Sequence, residues 1–114
     1  MRIALPLVFL ALPAIADPAR IVEVSATQSG ADWRISVTLE HGDTGWEDYA
    51  DGWRVEAADG TVLGTRELLH PHVNEQPFTR SHTISIPTDT RRVHIRASTL
   101  PEGWATDTQA FDLP

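Results

Sequence analysis

The stretch WRISVTLE, residues 33–40, alternates apolar and polar side chains without a break. Trp33, Ile35, Val37 and Leu39 fall on one face, and Arg34, Ser36, Thr38 and Glu40 on the other. Successive side chains of a β-strand point to opposite sides, so this pattern predicts a strand with one face buried and one in water. No segment beyond residue 16 carries the apolar period of a helix. The fold is therefore expected to be all-β.

The same period recurs on both sides. Upstream, residues 21–27 read as a strand with Val22, Val24 and Ala26 inward, turned by residues 29–32. Downstream, Trp53, Val55 and Ala57 alternate with Arg54 and Glu56. Asp59-Gly60 is a hairpin signal, and residues 61–65 return as the next strand. Ile84 and Ile86 mark a short strand over 83–86; Val93, Ile95 and Ala97 mark another; residues 110–113 close the set. Seven short strands predict an antiparallel two-sheet sandwich, with Trp33 and Trp53 as its central aromatics. A small barrel is the alternative. The pattern resembles that of immunoglobulin-like and fibronectin-type-III-like domains along residues 17–114, without an inter-sheet disulfide, because the chain has no cysteine.

The chain opens MRIALPLVFLALPAIADPAR. Arg2, an apolar run over residues 3–12 and Ala14-Ile15-Ala16 have the anatomy of a secretory signal, with cleavage expected before Asp17. The run is too short to span a membrane. Residues 1–16 are thus expected to be a cleaved signal peptide and residues 17–114 a single periplasmic or secreted domain, with no membrane insertion and no lipid on a cysteine. All nine basic residues are arginine. With Arg2 removed, 8 arginines face 16 acids, a formal −8 against −7 for the whole chain. Such a balance argues against nucleic acid or anionic lipid as a partner.

Connection lengths alternate. The turns at 29–32, 58–60 and 87–90 are short; the connections at 41–52, 66–80 and 98–108 are long. In an antiparallel sandwich alternate connections lie at opposite ends, so the three long ones are expected to meet at one pole. Loops longer than a hairpin needs are where binding residues concentrate. These three carry His41, Asp43, Trp46, Glu47, Asp48, Tyr49 and Asp51, then His70, His72, Glu75, Phe78 and Arg80, then Glu102 and Trp104.

Two chemistries follow. In extended backbone, residues i and i+2 point to the same side about 6.5–7 Å apart, so His70-Pro71-His72 can aim two imidazoles at one ion. Pro71 restrains His70 as well as itself. Imidazoles with carboxylates suit Zn(II) or Cu(II), with further ligands expected from His41, Glu75, His82 or an acid of the first loop. The other chemistry is a metal-free surface for a protein or glycan, built from Trp46, Asp48, Tyr49, Asp51, Glu102 and Trp104. At least two of Trp46, Tyr49, Phe78 and Trp104 are expected to be buried under the loops. His82 shares the inward parity of Ile84, and His94 points outward. No nucleophile elbow, zinc-protease motif or phosphate loop is present, so no enzyme is predicted.

The segments GWEDYADGWRV, ADGTVLGTRELLHPHVNEQPFTRS and EGWA resemble parts of a family of small, exported, uncharacterised bacterial proteins. In that family a histidine often stands at or near the place of Asp48, and another before the late glycine, where Glu102 precedes Gly103 here. The resemblance implies a metal site from which some imidazoles are missing in this chain. It brings no activity with it.

Overall fold

The computed structural model describes Ala4 and residues 17–114; apart from Ala4, the expected signal peptide lies outside the described residues. The described chain forms eight strands and no helix: β1 (Arg20–Ser29), β2 (Asp32–Glu40), β3 (Tyr49–Glu56), β4 (Val62–Glu67), β5 (Phe78–Ser85), β6 (Arg92–Leu100), β7 (Gly103–Trp104) and β8 (Gln109–Asp112). They make two antiparallel sheets, one of order β1-β2-β5 and one of order β4-β3-β6, with β7 and β8 both pairing β6. β7 and β8 are thus two halves of one broken edge strand.

Residues 33–40 form the centre of the smaller sheet, as their alternation predicts. Ile35, Val37 and Leu39 are buried, and they pack with Trp53 and Val55 of β3, Val93, Ile95 and Ala97 of β6, and Phe78 and Ile84 of β5. Each fully buried side chain of this size contributes roughly 1.5–3 kcal/mol. Trp53 is the central aromatic, whereas Trp33 is only partly buried at the margin. Gly64 of β4 faces Ile84 across the sheets. A Cβ there would stand 2.8 Å from Ile84 Cγ1, so glycine lets the two layers close. At the Asp59-Gly60 turn, Gly60 takes φ +88°, and the Asp59 carboxylate accepts from the Thr61 N–H at 3.0 Å.

Several expectations are corrected. Val22 points to solvent at 42% exposure, because a bulge between Ile21 and Glu23 slips the register and hands its inward place to Ile21. β3, β5 and β6 run further towards the long-loop end than the apolar alternation does. β5 extends through Thr79 and Ser81, whose hydroxyls pair with Thr38 and Ser36 at 2.6 Å, so cross-strand polar pairs continue the sheet. In the third long connection β7 interrupts the expected loop. Of the four loop aromatics only Phe78 is fully buried; Tyr49 is half-buried, and Trp46 and Trp104 are exposed.

Candidate functional site

Asp43 joins two of the long loops. Its side chain is fully buried. One carboxylate oxygen accepts from His41 Nδ1 at 2.7 Å and from the Ala50 N–H at 2.9 Å. The other accepts from the His72 N–H at 2.8 Å. Gln76 closes the same joint: it accepts from the His41 N–H and donates to the His72 carbonyl, both at 2.9 Å. A buried carboxylate is costly unless donors surround it, and here three do.

His41 is drawn into this joint. Its Nε2 meets the carbonyl oxygen of Asp17 at 3.0 Å, so both ring nitrogens are engaged by protein oxygens. His70 and His72 do lie side by side, with ring centroids 4.5 Å apart. His72 also stacks on Phe78 at 3.9 Å. Its Nε2 lies 2.8 Å from the Arg80 guanidinium. Arginine only donates, so Nε2 accepts and the ring proton sits on Nδ1, which is buried without a partner among the described residues. Burial pushes the His72 pKa down, and the charges of Arg80 and His70 add to this. Glu75 accepts from Arg80 at 3.2 Å. The four expected ligands are therefore not gathered around one point: among the described residues no three histidine, aspartate or glutamate side chains are placed to hold an ion. Asp43 and Arg80 are the physical reason, since each engages an imidazole first.

Three of the six expected aromatic and acidic residues, Tyr49, Asp51 and Trp104, come together on the outer face of the larger sheet, near the loop end. Gly52, Ser98 and Trp104 lie side by side across β3, β6 and β7. Because the two inner positions are small, the Trp104 indole lies across them, 3.7 Å from where a Gly52 Cβ would be. Arg54 covers the indole at 4.2 Å. The indole is nonetheless 39% exposed. With Tyr49, Asp51, Gly52, Glu67 and Leu69 it lines a cleft of about 390 Å³. A bulge between Ala50 and Gly52 shifts the β3 register at Asp51, and Asp51 lines the cleft with Gly52. Its Oδ1 is buried and has no partner among the described residues. Trp46 stands at the tip of the first loop, 64% exposed and edge-on to Tyr49 at 5.7 Å. Asp48 stands apart, with Oδ1 3.8 Å from His41 Nε2. Glu102 is also separate: it lines a second cleft of about 370 Å³, with Ala19, Ile21, Ala97 and Trp104, between the start of β1 and the broken edge strand. That second cleft is walled mainly by apolar groups and, among the described residues, holds no unsatisfied buried polar side-chain atom. The first cleft is the better candidate for specific recognition.

An ion-pair cluster supports the platform. Glu56 is buried on the outer sheet face and accepts from Arg96 at 2.7 and 3.1 Å and from Arg54 at 2.7 Å. The Arg96 bonds outweigh burial and, with those of Arg54, hold the Glu56 carboxyl down to about 2 from an ordinary 4.5. Arg96 also donates to the carbonyls of Ala105 and Thr106, at 2.7 and 3.0 Å, where the edge strand breaks.

From sequence, Gln76, Glu67 and Glu56 have no expected site role, and Asp43 is only one of several acids in the first long loop. For Asp43 the signal was present, an acid two residues after a histidine in one loop. For Glu67 and Glu56 there was none, because their roles depend on strand register.

The molecule is thus an all-β protein of two antiparallel sheets with an aromatic and acidic cleft beside its long loops. Over 95 residues it is 41% identical to a Halomicrobium mukohataei protein named "Putative lipoprotein", the match covering 82% of this chain and 47% of that protein. The chain therefore spans about half the length of that relative. No family model and no solved structure matches the chain. Among the described residues no helix is long and apolar enough to cross a membrane.

Proposed function

We propose that the chain is an exported binding domain of the immunoglobulin-like or fibronectin-III-like type, whose ligand surface is the cleft of Tyr49, Asp51, Glu67 and Trp104. The strand orders β1-β2-β5 and β4-β3-β6-β8 support the fold type. The leader-like residues 1–16 and the name of the Halomicrobium mukohataei relative support export, to the periplasm or beyond. One observation carries the binding role: Trp104 is covered by Arg54 yet exposed, in one cleft with Asp51, whose Oδ1 has no donor among the described residues. An immobilised, exposed indole next to an unmet acceptor loses little entropy on binding a protein or glycan partner. Retention of such a partner by the wild-type domain, and its loss in Trp104→Ala with an unchanged unfolding midpoint, is the expected result. Equal retention by both would sink the reading.

A second reading keeps Zn(II) or Cu(II) at His70 and His72, on the single observation that their rings lie 4.5 Å apart. It requires Arg80 to release His72. Metal analysis of protein purified without chelator tests it, with His70→Ala/His72→Ala expected to abolish both bound metal and any thermal shift caused by Zn²⁺. Absence of stoichiometric metal in the wild type ends it.

A further inference from the structure

We infer that the cleft of Tyr49, Asp51, Glu67 and Trp104 takes a side-chain-sized organic cation: an ammonium head on an alkyl stem. This rests on the cleft being the ligand surface proposed above. Charge is the first argument. The lining holds two carboxylates, Asp51 and Glu67, and no lysine, arginine or histidine. Of the neighbouring cations, Arg54 is committed to Glu56 and to the Trp104 ring, and Arg66 to the carbonyls of Glu67 and Ser81. The second argument is the orphan acceptor. Asp51 Oδ1 is shielded from water and has no donor among the described residues. That carboxylate keeps its charge unmet by the protein at this oxygen, and a cation seated in the cleft that Asp51 lines offsets the charge where a neutral ligand does not. The third argument is shape. Leu69 and Trp104 are 70% and 39% exposed and give an alkyl stem apolar surface, while Tyr49 offers an aromatic ring to the head. A neutral sugar would use the rings but leave two carboxylates to be met by hydroxyls alone. Such a cation can come free in solution, as a polyamine does, or on a lysine of a partner protein.

The test titrates the full domain with 1,5-diaminopentane, with a lysine-rich peptide and with the neutral isostere pentane-1,5-diol, following the indole N–H resonance of Trp104 by NMR. Both cations are expected to shift it, more weakly at 0.5 M than at 0.05 M salt, and the diol is not. Asp51→Asn keeps the shape and is expected to weaken cation binding roughly tenfold or more, the scale of one charge-assisted hydrogen bond. Glu67→Gln, at an exposed position that folding does not depend on, is expected to weaken it less. If only the peptide binds, the cation is protein-borne; if the diamine binds equally, the free form suffices. Equal binding of diol and diamine, or an Asp51→Asn domain that binds cations like the wild type, overturns the inference. A neutral oligosaccharide that shifts Trp104 where no cation does overturns it and leaves the binding cleft standing. Silence of Trp104 to every probe overturns both.

Discussion

Replacing Glu56 by glutamine keeps the shape of the side chain and removes its charge from between Arg54 and Arg96. Lowering a carboxyl from 4.5 to about 2 corresponds to roughly 3 kcal/mol between its ionised and protonated forms. Arg54 and Arg96 are 24% and 21% exposed, so water screens part of this. A loss of about 2 kcal/mol is the figure to test. For a domain of this size that is a fall of about 8–16 °C in Tm. The dependence on pH is the sharper check. A folded-state pKa below the unfolded one gives stability that is complete above 4.5 and lost as pH falls towards 2. Urea unfolding of wild type and Glu56→Gln should therefore differ by a constant amount from pH 5 to pH 8, and converge between pH 4.5 and pH 2. A gap that stays unchanged through the acid range, or one below about 0.5 kcal/mol at neutral pH, refutes the account of this cluster.

Three further outcomes follow from the packing. Asp43→Asn removes the charge from a carboxylate with three buried donors, and should cost about 3 kcal/mol in chemical unfolding while raising amide exchange in both loops it joins; a change confined to one loop would contradict its joining role. Gly64→Ala should destabilise by about 1–3 kcal/mol, and Ile84→Ala, which removes Cγ1, Cγ2 and Cδ1 together, should cost less in that background than in the wild type, as a double-mutant cycle would measure. Trp53→Ala should cost about 3–5 kcal/mol, but Trp53→Phe far less, because the buried Trp53 Nε1 has no partner among the described residues and its removal offsets part of the lost volume.

How much of this was legible depended on whether a residue acts through its own neighbours in sequence or through register. Residues 33–40 displayed their burial directly, and so did Val93, Ile95 and Ala97, because a strand's period is local. The meeting of the loops followed from counting connections, and the joint between the first two is seen in the Asp43 bonds. Bulges were not legible. One reversed Val22 and Ile21, and another shifted the register at Asp51, the residue that now defines the cleft. Neither has a mark in composition. The fate of the histidines was hidden for a related reason. His70 and His72 carry a suggestive spacing, but whether His41 and His72 stay free for an ion is decided by Asp43 and Arg80, whose approach depends on how the loop and β5 fold. Trp104 could be named as a binding residue, yet its seat on Gly52 and Ser98 exists only once β3, β6 and β7 are aligned.

The break between β7 and β8 has a bearing on how this domain meets other copies of itself. An open sheet border is a row of donors and acceptors on which a foreign strand can grow. Here that row is cut into a stretch of two residues and a stretch of four. The carbonyls of Ala105 and Thr106 at the cut are already held by Arg96. A neighbour could pair with either fragment but could not zip from one to the other. At this border a single arginine thus holds the cut that keeps a foreign strand from running the length of the sheet.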